Sequence, residues 1–319
     1  MDLDLISILL IAGLVLIYTV QSLVTRYYSA SYPGRADLAS PVFTIVSGLV
    51  VALVTLAVNG FRFDCSLPTL LLALCNALAI VLYNTSLIKA SATGPYSITM
   101  VFLIAGGIII PTIVEQFYGF NLNVVKVLSI LVVLVSVYLV ARKDGETAEN
   151  KSAFFGACLL IAIGNGAYGS FLNVQQEIAE AEKEEMVILT YLFGALLSAV
   201  ILLAKEKKNF FSAMKQSKRS LAFLVAASLV VAFAINVFVF IIAYMKSHGD
   251  GITVLYTLDN SLVFLLSVAF SCIFMKERLS RLNVIGCITL CAALVCITNS
   301  EWIIEKCTTL FRYACTYLI

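Results

Sequence analysis

Ser86-Leu87-Ile88-Lys89-Ala90-Ser91-Ala92-Thr93-Gly94 and Ala243-Tyr244-Met245-Lys246-Ser247-His248-Gly249-Asp250-Gly251 align without a gap, with Lys89 on Lys246 and Gly94 on Gly251. Each stretch closes one apolar run and opens the next. A second match, with a two-residue gap, sets Glu115-Gln116-Phe117 and Leu122-Asn123-Val124 against Glu277-Arg278-Leu279 and Leu282-Asn283-Val284. Tyr18 and Val24 likewise fall on Tyr168 and Val174. The chain therefore reads as a duplication, with residues 1–145 and 146–299 as its halves and 300–319 as a tail.

The duplicated runs are membrane material. Of 319 residues, 61% are hydrophobic and 13% charged, and the mean hydropathy is +1.01. A soluble domain carries about half apolar and a quarter charged residues. Crossing a hydrocarbon core takes roughly 20 apolar residues, and breaks at charged, Pro and Gly-rich points predict ten spans near 3–25, 40–59, 67–89, 95–118, 122–141, 152–175, 186–204, 220–246, 251–275 and 281–299. The first apolar run lacks a basic leader and a small-residue cleavage site, so it reads as a span rather than a signal peptide. The fold class is all-α integral membrane: ten helices in two five-helix repeats.

Five is an odd number of crossings, so the second half enters the membrane in the opposite sense. Inverted repeats related by an axis in the membrane plane are the framework of alternating access. The tail mixes Trp302, Ile303, Leu310 and Phe311 with Glu301, Glu305, Lys306 and Arg312, a pattern for lying at the interface.

Phe274-Met275-Lys276-Glu277-Arg278-Leu279-Ser280-Arg281-Leu282-Asn283-Val284-Ile285-Gly286, its weaker copy over 115–124, and Gly169-Ser170-Phe171-Leu172-Asn173-Val174-Gln175-Gln176 carry a resemblance to the drug/metabolite transporter superfamily, in particular its bacterial ten-helix EamA-type members. The resemblance covers nearly all of residues 3–299. It implies a central cavity lined by helices 1, 3, 4, 6, 8 and 9, small metabolites, amino acids, nucleotide sugars or drugs as substrates, and residence in a prokaryotic cell membrane. The basic loop Lys205–Arg219 and the tail depart from the family pattern.

Lys and Arg are unevenly distributed. Arg26, Arg35, Lys89, Arg142, Lys143, Lys151, the Lys205–Arg219 block and the Lys276–Arg281 cluster fall on one side, and the acidic run Glu177–Glu185 on the other. The positive-inside rule then puts the odd-numbered connections in the cytoplasm and both termini outside. The family resemblance implies the reverse.

Polar residues within apolar runs are the candidate site. Asp259 sits about two turns inside a span, where a carboxylate costs roughly 2.5–3.5 kcal/mol on insertion scales, so it has a partner or a use. Proton coupling, pairing with a cationic solute, and a structural contact to Asn260 or a tyrosine all fit. Around it the candidate set comprises Tyr18 and Gln21, with Thr25 on the same face; Tyr83 and Asn84; Tyr96, near Thr99; Asn165 and Tyr168, near Asn173; Asn236 and Tyr244; and Tyr256. Any one of these is more often an interhelical hydrogen bond, worth about 0.6 kcal/mol, than a ligand contact. Lys89 and Lys246 read as cations at helix C-termini, and Glu115 and Glu277 as structural helix ends. Gly106-Gly107 and Pro111 predict a break in helix 4 at mid-depth, with close packing as the other reading.

No catalytic residue, cofactor or metal is assigned, and the chain is read as not an enzyme. The single histidine, His248, lies in a turn, HExxH and phosphate-binding loop motifs are absent, and one deep carboxylate falls short of the pair an intramembrane aspartyl protease needs. The nine cysteines read as small packing residues. The net charge of +2 points to no nucleic acid. A carrier for a small-molecule substrate within the lipid bilayer, with protons as a coupling ion, is the leading reading; an intramembrane enzyme and a channel or scaffold are the alternatives.

Overall fold

The structure, a computed structural model, describes residues 5–114, 117, 123–141, 151–247, 259, 262–266, 268–270, 272–273 and 279–317. The candidates Tyr256 and Asn260 lie outside these residues, as do Glu115, Glu277, His248, Gly251 and the boundary near residue 145.

Among the described residues there is helix and no strand. The helices are α1 (Leu5–Ser31), α2 (Ala36–Val58), α3 (Leu67–Thr93), α4 (Tyr96–Val114), α5 (Val124–Ala141), α6 (Lys151–Ile178), α7 (Lys183–Glu206), α8 (Lys218–Ser247), α9 (Arg281–Thr298) and α10 (Ser300–Tyr317). Residues 259–273 are also helical where described. Six of these, α1, α2, α3, α6, α7 and α8, are long and apolar enough to cross a membrane, giving the chain the character of a multi-pass helical membrane protein. The apolar parts of α4 and α5 are shorter, and α9 with α10 reaches a span's length only across a bend of 77°.

Several boundaries shift from the sequence expectation. Leucine-, alanine- and serine-rich ends continue the i to i−4 bonding past the first charge. Thus α1 runs through Arg26, whose guanidinium stacks 5.2 Å from the Tyr96 ring centre. Helix α3 likewise continues a turn beyond Lys89, leaving this exposed lysine inside the helix rather than at its C-terminus. Within the acidic stretch, Glu185 is buried in α7 and accepts from Asn59 Nδ2 at 2.8 Å, while Glu182 accepts from the Ser66 backbone N–H at 2.9 Å. Within the basic stretch lies a short helix, Phe210–Met214.

Helix α4 does not break at Gly106-Gly107; it remains helical through Pro111 to Val114. The glycines serve close packing instead. A Cβ on Gly106 would collide with the Ala162 backbone, and one on Gly166 with the Gly106 carbonyl, so α4 and α6 touch main chain to main chain.

Contacts divide the chain into two compact units. The larger joins 1–111 with 147–277. Its most extensive interfaces are α3 with α6, α2 with α7, α1 with α8, α3 with α7 and α2 with α8. The smaller joins 112–146 with 278–319 and is built on α5 against α9. There Asn123 Oδ1 accepts from the Lys126 N–H at 2.8 Å and its Nδ2 donates to Ser300 Oγ at 3.1 Å. Asn283 Oδ1 accepts from the Ser280 N–H at 2.9 Å, closing a capping box, and its Nδ2 donates to the Val140 carbonyl at 2.7 Å.

Candidate functional site

The larger unit encloses a cavity of about 140 Å³. Each helix turns one stripe toward it at the three- and four-residue spacing of a helical face. Helix α1 contributes Tyr18, Gln21 and Ser22; α3 contributes Ile80, Tyr83 and Asn84; α4 contributes Met100, Leu103 and Gly107. From α6 come Asn165, Tyr168, Gly169 and Leu172, and from α8 Val231, Ala234, Ile235 and Phe238. Asp259 and Val263 stand one turn apart.

Helices α2 and α7, not among those the family resemblance implies, also line the cavity through Phe43, Ser47 and Tyr191. Their closeness comes from Gly48, where a Cβ would stand 2.6 Å from the Tyr191 carbonyl. A similar approach seats Tyr83, since a Cβ on Gly164 of α6 would lie 2.8 Å from its backbone nitrogen.

The cavity therefore gathers Tyr18, Gln21, Tyr83, Asn84, Asn165, Tyr168 and Asp259 from the residues singled out in the sequence. Three described candidates lie elsewhere. Tyr96 is buried beneath Arg26. Asn236 donates to Thr55 Oγ1 at 3.0 Å and to the Ala232 carbonyl at 2.8 Å, a tie from α8 to α2. Tyr244 stacks on Phe240 one turn away, centres 6.4 Å apart. Tyr191 was not singled out. It stands alone in Met186-Val187-Ile188-Leu189-Thr190-Tyr191-Leu192-Phe193, and only its hydroxyl in an apolar run marked it.

Several lining donors are already engaged. Ser22 Oγ donates to the Tyr18 carbonyl at 3.0 Å and Ser47 Oγ to the Phe43 carbonyl at 2.7 Å. Asn84 Nδ2 donates to Thr44 Oγ1 at 3.2 Å, and Asn165 Nδ2 to the Leu103 carbonyl at 2.9 Å. Asp259 is 7% exposed. Its Oδ1, and Oε1 of Gln21, are buried without a hydrogen-bond partner among the described residues. No lysine, arginine or histidine appears among the described lining residues. Chemically, this is an aromatic-walled chamber with one buried carboxylate, suited to holding a small solute and offering no described nucleophile–base pair.

No family model matches the chain and no curated protein matches it. A solved structure called only "Crystal structure of protein" is similar at a TM-score of 0.61 and 15% identity, over 92% of this chain and 96% of that one. This likeness concerns the fold alone.

Proposed function

We propose that the chain is a secondary transporter that moves a small metabolite across a prokaryotic cell membrane by alternating access, as a carrier of the drug/metabolite class. The observation that carries this reading is the cavity, where stripes from eight helical segments converge on the buried carboxylate of Asp259. Solute sites of carriers lie between repeats near mid-membrane. Asp259 is the group available to a coupling proton or to a positively charged solute.

Ten helices in two inverted halves, 1–145 and 146–299, supply the moving parts. Their support is that the most extensive pairings survive when the first five spans, α1–α5, are exchanged for the second five, α6, α7, α8, the segment 259–273 and α9, although the smaller α2–α3 and α1–α3 contacts have no counterpart of that size. Under that exchange α1 on α8 becomes α6 on α3, α3 on α7 becomes α8 on α2, and α2 with α7 and α5 with α9 map onto themselves. Asn123 and Asn283, matched by the sequence repeat, make corresponding bonds at opposite ends of α5 and α9. Such a relation lets one half rock against the other around a fixed site.

The orientation follows charge: the first and seventh connections are cytoplasmic. These two connections are joined by Arg35 to Glu206 at 2.9 Å and Tyr32 Oη to the Ala213 carbonyl at 2.9 Å. An enzyme or a channel is the weaker reading, since the described lining residues form no catalytic pair and the repeat is a device for two-sided access.

Counterflow in proteoliposomes tests the proposal. A carrier takes up labelled solute faster when unlabelled solute is trapped inside; equal rates with and without it across metabolite classes would refute carriage.

A further inference from the structure

Resting on that reading, we infer that the cavity is a site for a small protonated amine whose N–H groups bond to Asp259 and Gln21 and whose body is apolar and about one ring in size. A buried acceptor without a donor forfeits the hydrogen bonds it had in water, so a partner supplied by a ligand is strongly favoured. Asp259 Oδ1 and Gln21 Oε1 are two such acceptors on one chamber, and Asp259 is more than nine-tenths buried.

The surroundings bias the site further toward donors. The hydroxyls of Ser22 and Ser47 are spent on carbonyls, and Asn84 and Asn165 each spend one of their two amide N–H groups, on Thr44 and on the Leu103 carbonyl, and keep an amide oxygen as an acceptor. Gly107 offers only backbone, and its carbonyl has lost its helical donor because Pro111, four residues on, has no N–H. The Gln21 amide nitrogen can still donate, so a neutral group is tolerated beside the cation.

Charge decides the sign. The described lining holds one carboxylate and no cationic side chain, so an anionic solute would meet repulsion with nothing to offset it. Phe43, Tyr83 and Phe238 place aromatic rings around the carboxylate's chamber, and ring faces attract ammonium groups. One ring fits, because a cavity of about 140 Å³ is close to one known to hold benzene. A quaternary ammonium has the charge but no N–H to give the unmet acceptors. The inference therefore separates primary and secondary amines from quaternary ones.

Thermal unfolding of the purified full chain is measured with 2-phenylethylammonium, its neutral isostere 2-phenylethanol, and its N,N,N-trimethyl derivative. The amine is expected to stabilise the protein, with the other two weaker by about 10- to 100-fold, the range of a lost charged hydrogen bond. Asp259→Asn should abolish the response and Asp259→Glu retain part of it. Should Asp259→Asn fail to fold, Gln21→Leu replaces it and must weaken amine binding. An equal response to 2-phenylethanol or the trimethyl derivative, an unchanged response in the variants, or no response to the amine overturns the inference. Counterflow with the same compounds separates the two claims. Amine binding without accelerated exchange refutes carriage and leaves the ligand class standing; accelerated exchange of neutral or anionic solutes without amine binding does the opposite.

Discussion

Asn123 and Asn283 secure opposite ends of the antiparallel α5–α9 pair: each amide oxygen accepts a backbone N–H at its own helix start, and each amide nitrogen crosses to the far end of the other pairing. Losing a helix cap costs about 1 kcal/mol, and the Val140 carbonyl would be left without its side-chain partner in Asn283→Ala. Both alanine variants should lower the unfolding temperature in detergent, Asn283→Ala more than Asn123→Ala. Equal stability to the parent would mean these bonds contribute nothing.

The α4–α6 contact makes a sharper contrast. Gly106→Val puts two methyl groups into the Ala162 backbone and should cost at least the 1–3 kcal/mol typical of overpacking. Gly156, on the same α6, has open space around its Cβ position, so Gly156→Ala should be neutral or gain up to about 1 kcal/mol of helix propensity. Circular dichroism melts of the two variants read the difference.

At the two ends of the α2–α7 pair the bonds differ in kind. Arg35–Glu206 and Lys205–Asp37 are ion pairs at the surface, with Glu206 the least exposed member at 15%, and breaking either should cost about 1 kcal/mol or less, and less in high salt. Glu185 is buried with Asn59 as its donor. Asn59→Ala therefore strands a carboxylate and should cost about 1–3 kcal/mol. Melts at low and high salt should move the first pair of variants and leave the second unchanged.

Cys65, between α2 and α3, reports both sidedness and pH. Burial, with Glu182, Glu185 and Asp64 nearby, pushes its thiol above the ordinary value. Because the thiolate is the nucleophile, maleimide labelling should be slower than for an ordinary thiol at pH 7 and keep rising as pH increases beyond the usual thiol range. With the other cysteines replaced, an impermeant maleimide should label Cys65 in intact cells but not a cysteine placed at Ser212; the opposite pattern would invert the orientation.

Helical stripes were legible in the sequence at some pairs of polar residues three apart, though Tyr96 and Thr99 share that spacing and do not line the cavity. Asn165 and Tyr168, or Tyr18 and Gln21, reveal a face by themselves. A lone polar residue reveals only that it is interior. Tyr96 and Asn236 were expected at the cavity, yet one lies under Arg26 and the other binds Thr55, because polarity cannot say which neighbouring helix a face meets. Tyr191 escaped for the converse reason: its place depends on Gly48 admitting α7 against α2, a fact of tertiary packing. The glycines of α4 left two readings open, since a break and a close contact ask for the same residue, and packing decides for the contact.

Two-sided access to the cavity is the central claim, and Ser47 of α2 lines that cavity. In a cysteine-free background, Ser47→Cys should react with an impermeant thiol reagent in both right-side-out and inside-out vesicles, and 2-phenylethylammonium should slow both reactions. Reaction from one side only, under every condition tried, would contradict alternating access.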